Sequence, residues 1–189
     1  MLGHDHALSG ALAFVAVAPL LPVSGTQLAV AATLTAGAGI LPDLDEPGST
    51  IARTFGFLTG AFAWIVHQLS GGHRKGTHSL LGLALAALVL WKGWDLVEVT
   101  PWHVPVLAVS VALGVLAHLA GDMLTHDGCP LLYPVSRYEF GLLPEPVRIT
   151  TNKLAERWVI SPLLLAGLAY FVYRDAAPAL TTAASGGWP

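Results

Sequence analysis

Apolar runs almost free of charge alternate along this chain with short polar clusters. A membrane-spanning helix needs about 20 apolar residues, within a range of roughly 17–25. Five runs meet or approach that length: 7–23, 25–41, 79–94, 104–121 and 158–173. A polar turn, Ser24-Gly25-Thr26, separates the first two, and Lys92 with two tryptophans closes the third as interfacial anchors. Trp158, Tyr170 and Tyr173 flank the fifth in the manner of an aromatic belt. The short runs call for tilt or local thinning of the bilayer. A sixth run, 55–69 (FGFLTGAFAWIVHQL), has only 15 residues and suits a helix that lies in the interface or re-enters it. The pattern therefore predicts an all-α, polytopic membrane helix bundle with about five spans plus one interfacial or re-entrant helix. It places one integral membrane domain over 1–175 and a flexible tail over 176–189.

Composition points the same way. Hydrophobic residues make up 54% and charged residues 11%, against about 25% charged in soluble domains, and the mean hydropathy is +0.64. A net charge of -3 with no basic block argues against nucleic acid as a partner. The single cysteine, Cys129, excludes an internal disulfide and a multi-cysteine zinc site; it reads as a small residue packed in a turn before Pro130. No Lys or Arg precedes the first run, and Pro19 and Pro22 break its far end, so it is not read as a signal peptide.

Charge also sets sidedness. The connection 42–78 carries Arg53, Arg74 and Lys75, and 122–157 carries Arg137, Arg148, Lys153 and Arg157. The turn 24–26 and the loop 95–103 carry no basic residue. The positive-inside rule then puts the N-terminus, 42–78 and 122–157 in the cytoplasm. With 55–69 interfacial, every polar cluster lands at that face; a spanning 55–69 would divide the clusters between both faces.

Those clusters contain most of the eight histidines and the seven aspartates: His4-Asp5-His6, Asp43-Leu44-Asp45, His73 to His78, and His118 to Asp127. Ionisable groups beside hydrocarbon are costly, so their gathering suggests a built site. Imidazole nitrogen and carboxylate oxygen are the ligand set of zinc, manganese and iron centres. His118 and Asp122, spaced i, i+4, share one helix face and can reach one metal, or form one hydrogen-bonded couple. Pro42 ends the second run; in an extended segment Asp43 and Asp45 point to one side and either hold a cation or are solvated turn residues. In HRKGTHS, Arg74 or Lys75 could hold a phosphate at a helix N-terminus, and Thr77 or Ser79 could cap the helix. His6 stands immediately before the first run. His4 is set aside, His126 follows the helix end at the Asp127-Gly128 turn, His67 reads as decoration of an interfacial helix, and His103 falls on the far face. Glu139, Glu145 and Glu156 lie in a proline-rich connection that could form a lid; Glu156, directly before the fifth run, could be a ligand or a base, but reads first as paired with Arg157 or solvated.

Together LPDLDEP, HRKGTHSLL and HLAGDMLTHDGCPLLYP, in that order, resemble the YdjM-type family, LexA-regulated membrane proteins classed as metal-dependent hydrolases. The resemblance covers His6 to about Pro134. Its matching acid and imidazole positions are Asp43, Asp45, His73, His78, His118 and Asp122. Glu46 stands where the family usually has His, Lys75 where it has Gly, and Tyr133 where it has Trp. The resemblance implies a hydrolase in a prokaryotic inner membrane.

The expected centre holds one or two divalent ions, zinc or manganese, on His6, Asp43, Asp45, His78, His118 and Asp122. His73 would shuttle a proton and Arg74 would hold a phosphate as the catalytic pair. Membrane lipids are the expected surroundings and a phosphorylated amphiphile the expected substrate. The alternative is a metal transporter or sensor without hydrolysis. Transporter sites usually lie near the bilayer midplane, whereas these clusters lie at helix ends. A structural membrane protein with solvated loops is a third reading and binds no metal.

Overall fold

The computed structural model describes residues 1–23, 25–94 and 104–184, and within them the chain is helical with no named strand. The helices are α1 (Gly3–Val17), α2 (Thr26–Ala38), the short α3 (Thr50–Arg53), α4 (Phe57–Ser70), α5 (Leu80–Trp94), α6 (Val104–Met123) and α7 (Ser161–Ala184). The all-α class is as the periodicity predicts. Two segments are long and apolar enough to cross a membrane among the described residues, Thr26–Asp45 and Val106–Met123. Over their described residues the remaining predicted spans fall short of that measure, so five crossings do not follow from helix length. α4, at 14 residues, is about 21 Å long at 1.5 Å per residue, well under a hydrocarbon core of about 30 Å. α7 continues to Ala184, past the point where the sequence reading ends the packed domain. His103 and the loop 95–103, assigned to the far face, lie outside the described residues, as does 185–189.

α1, α2 and α6 form the centre of the bundle; α7 packs on α1 and α5 on α6. Phe14, Ala18, Ala31 and Val106 bury one core cluster, and Ala38, Val111, Val115, Leu119 and Cys129 a second, adjoining the polar end. The close approach rests on small residues. A Cβ on Gly114 of α6 would stand 2.5 Å from the Thr35 carbonyl oxygen of α2, and one on Gly39 2.5 Å from the His6 carbonyl oxygen of α1. Any larger residue would force these helices apart, and small residues at helix crossings are how apolar bundles pack without a hydrophobic driving force. The buried hydroxyls of Thr35 and Ser110 return hydrogen bonds to the carbonyls four residues back, at 2.8 Å each, so neither hydroxyl is stranded.

Among the described residues, the outer faces of α4 and α7 are apolar. Phe57, Leu58, Phe62 and Trp64 on α4 and Leu163, Tyr170, Val172 and Tyr173 on α7 are all exposed. Exposed apolar surface of this extent marks a membrane or a partner. Local chemistry explains the helix ends near the site. Ser79 accepts from the Gly82 amide (3.1 Å) and caps α5, as its position predicts. Gly71 ends α4 in the left-handed region at φ 84°.

Candidate metal centre

The polar clusters converge at one end of the α1–α2–α6 core. His118 and Asp122 project from the last turns of α6, His6 from the first turn of α1, and Asp43 from a 3-10 turn, Pro42–Asp45, that follows α2. His73 and His78 come from the connection between α4 and α5. Three sets of ligand-type side chains have donor atoms within 4.8 Å of one another: His6, Asp43 and His118; Asp43, His73 and His78; and His78, His118 and Asp122. Such groups could hold a metal ion.

The separations at the middle of this cluster match a cation's ligand shell. His78 Nε2 and His118 Nε2 are 3.0 Å apart. Asp122 Oδ2 lies 3.4 Å from the former and 3.6 Å from the latter. Asp43 Oδ1 lies 3.8 Å and 3.7 Å from the same two nitrogens. A tetrahedron with bonds of about 2.0 Å has edges of about 3.3 Å.

Hydrogen bonding on the far side of each ring decides what these nitrogens can do. His118 Nδ1 is 2.7 Å from the Gly39 carbonyl oxygen, which only accepts, so Nδ1 carries a proton. Thr77 donates its hydroxyl hydrogen to Asp45 Oδ2. His78 Nδ1, 3.0 Å from that hydroxyl and 3.5 Å from Asp45 Oδ2, must therefore donate as well. In the neutral rings both Nε2 lone pairs then face each other and a carboxylate. That arrangement repels itself unless a cation or a proton lies between, and it is how outer partners prepare imidazoles for a metal. Without metal, a proton takes the place. Burial alone would lower the His78 pKa, but the neighbouring carboxylates of Asp122 and Asp45 outweigh it and push it up to about 9.

Among the buried polar atoms without a hydrogen-bond partner, two belong to this cluster's imidazoles and carboxylates. One is Asp122 Oδ2, the oxygen turned to the imidazoles; the other is Nδ1 of His6. The opposite oxygen, Asp122 Oδ1, is held by the Met1 nitrogen (2.6 Å), His6 Nε2 (3.3 Å) and the Arg74 guanidinium (3.4 Å). His6 stacks on His118 with ring centroids 3.7 Å apart, which buries the first histidine against the second. Buried polar groups nearly always find partners, so the open oxygen of Asp122 beside two imidazoles supports a ligand site.

Some predicted residues stand differently from expectation. Asp43 and Asp45 are not side by side, because Pro42 starts a 3-10 turn rather than an extended segment, and its three residues per turn send positions two apart in different directions. Asp43 turns to the imidazole pair. Asp45 belongs to none of the three sets; its carboxylate receives His73 Nδ1 (2.7 Å), the Arg74 amide (3.0 Å) and Thr77. Asp45 thus orients His73 and His78. His73, expected as a proton shuttle, stands within reach of Asp43 and His78 as a further donor. The Arg74 side chain bridges Asp122 and exposed Asp127, at 3.4 and 2.5 Å. Lys75 and His126 are exposed.

Three contributors escaped the sequence reading. His67 is not decoration: its Nδ1 is 2.7 Å from the Asp45 carbonyl oxygen and ties α4 to the Pro42–Asp45 turn. Glu156 is neither solvated nor paired with Arg157. It is fully buried, accepts from the Leu2 amide (2.6 Å) and the Asn152 amide (2.5 Å), and so fastens the start of α1 to the start of α7; Arg157 binds the Asn152 side chain instead. Gly39 supplies the carbonyl that fixes the His118 tautomer. Cys129 is buried as expected, and burial pushes its thiol up to about 12, so it is no nucleophile.

The family model for the YdjM inner membrane protein matches residues 1–180 of this chain. The chain belongs to the YdjM family. Membership places it in the bacterial inner membrane. It is 38% identical over 129 residues to the inner membrane protein YdjM of Escherichia coli (strain K12), a stretch covering 67% of this chain and 59% of that protein. The same figures hold for YdjM of Shigella flexneri. The matched stretch thus spans less than two thirds of these curated relatives. An uncharacterized Bacillus subtilis (strain 168) protein, YvsG, is 27% identical over 173 residues, covering 90% of this chain and 94% of YvsG. No solved structure matches significantly. The YdjM assignment and the convergence of buried imidazoles and carboxylates come from separate observations.

Proposed function

We propose that this YdjM-family chain is a metal-dependent hydrolase embedded in the inner membrane, with its centre at the cytoplasmic face. The observation that carries the reading is the pair of Nε2 atoms 3.0 Å apart, each on a ring whose other nitrogen is already a donor. His78, His118, Asp43 and Asp122 would hold the ion, with His6 and His73 close enough to serve a second. Zinc or manganese fits this mixture of imidazole and carboxylate. A bound divalent ion would lower the pKa of a water toward neutrality and polarise the scissile group. The protein's own groups do the rest. Asp45 holds His73 and His78 in orientation, the Gly39 carbonyl does the same for His118, and Arg74 supplies positive charge beside Asp122. A phosphoester on a lipid-like molecule suits that charge and this position. The helix ends carrying the ligands lie together, which supports five crossings with α4 lying along the interface.

The test is to purify the protein in detergent, measure bound metal, and assay phosphoester hydrolysis for wild type and Asp43→Ala. The expected result is about one or two ions per chain, and hydrolysis that falls by at least roughly 100-fold in the variant. Absence of metal from wild type removes the reading. Bound metal with no hydrolysis turns it toward a sensor or transporter.

A further inference from the structure

A cavity of about 500 Å³ opens beside the metal centre, within the range of roughly 300–1,000 Å³ typical of small-molecule sites. Its walls are Val66 and Leu69 of α4, Leu81 and Leu85 of α5, and Val115 of α6. All are apolar, and Leu69, Leu81 and Leu85 are exposed, so the cavity is open sideways where a bilayer would lie. Its inner end meets the centre at three points of the chain. Pro42 precedes Asp43, Thr77 precedes His78, and Val115 stands one helical turn before His118. Thr77 belongs to both places, lining the cavity while its hydroxyl binds Asp45. Tyr133 covers the same end, its hydroxyl over Gly71.

A polar, cation-binding end joined to an apolar, sideways-open channel matches one kind of molecule: an amphiphile with an anionic head and a hydrocarbon tail. We infer that this cavity holds a single hydrocarbon tail of the substrate, entered from the bilayer between α4 and α5, with the head delivered to the His/Asp centre past Thr77. The head's chemistry rests on the hydrolase reading; the tail site rests on the cavity alone. The class of substrate is thereby a membrane-resident phosphoryl amphiphile, and a water-soluble phosphoester would leave the apolar channel unused.

The probe is dodecyl phosphate carrying a diazirine near its terminal carbon, photolysed on the full chain in phosphatidylcholine nanodiscs, with adducts mapped by mass spectrometry. Adducts are expected on Val66, Leu85 and Ala86. Unlabelled dodecyl phosphate should suppress them, and butyl phosphate and inorganic phosphate should not. Ala86→Trp, which fills the channel from α5, should cut labelling by at least about tenfold, because an indole displaces the space of several methylenes, while bound metal stays at the wild-type level. Equal labelling of Leu163 and Val172 on the outer face of α7 would mean annular lipid only, and equal protection by dodecyl and butyl phosphate would mean that the head alone binds; either result would overturn the proposal. The competition series uses the wild-type chain, so it decides the matter even where Ala86→Trp does not fold. Asp43→Ala separates the two readings: it should abolish hydrolysis and leave tail labelling intact. Labelling in a wild-type protein without metal would remove the hydrolase and keep the tail site.

Discussion

Asp122 and Glu156 are both fully buried carboxylates near the start of α1, yet they are held in opposite ways. Both oxygens of Glu156 accept backbone amides, from Leu2 and Asn152. Asp122 has one oxygen crowded by the Met1 nitrogen, His6 and Arg74, and the other open toward His78 and His118. A buried charge with its acceptors filled by rigid amides has nothing left to offer a ligand and serves the architecture. One with an oxygen left bare beside two imidazoles retains a cost that only a cation or proton removes. The difference separates a fastening from a site more sharply than burial does.

The largest expected effect tests the open oxygen. Asp122→Asn keeps the shape but removes the charge. Changes to groups that merely orient metal ligands typically cost about 10–100-fold in affinity, so this change to a proposed ligand should lower metal affinity by more than roughly 100-fold in a competition titration. Wild-type affinity in Asp122→Asn would erase the distinction. Glu156→Gln tests the other side. It weakens one charge-assisted hydrogen bond, a loss of about 1.5–3 kcal/mol, which at about 2–4 °C per kcal/mol lowers the melting midpoint by several degrees. Metal content should not change. A parallel fall in metal content would show that the fastening of α1 to α7 is part of the centre.

The same contrast explains what could be read in advance. His118 and Asp122 were legible as partners because a helix fixes the direction of residues four apart whatever surrounds it. The helical class was legible because apolar runs of this length leave no other way to satisfy the backbone. Asp43 and Asp45 were legible as acids near the site but not in their separate roles, which depend on whether the chain after Pro42 extends or coils. His67 and Glu156 find their partners on backbone atoms 22 and 154 residues away, and a backbone atom leaves no mark in the residue code. The number of crossings depends on helix tilt and on the membrane, neither of which the apolar pattern specifies.

The smallest expected effect concerns the proton that the proposed metal would displace from His78. His78 is held up to about 9 in the metal-free protein by Asp122 and Asp45, against the effect of burial, where an exposed imidazole titrates near 6.5. Protonated His78 then stabilises the metal-free fold fully below about pH 6.5, and this contribution fades as pH rises through about 9. Metal must displace that proton, so apparent affinity should climb by up to about tenfold per pH unit toward pH 9 and level off above it. Thermal melts should therefore diverge with pH: the metal-free midpoint falls between about 6.5 and 9, while the metal-loaded midpoint holds or rises. Asp45→Asn removes one of the two carboxylates behind the raised pKa, so the plateau of metal affinity should begin at a lower pH. Metal-free and metal-loaded midpoints that move in parallel across this range would show that no proton is displaced from His78, and would return Asp122 to the same class as Glu156.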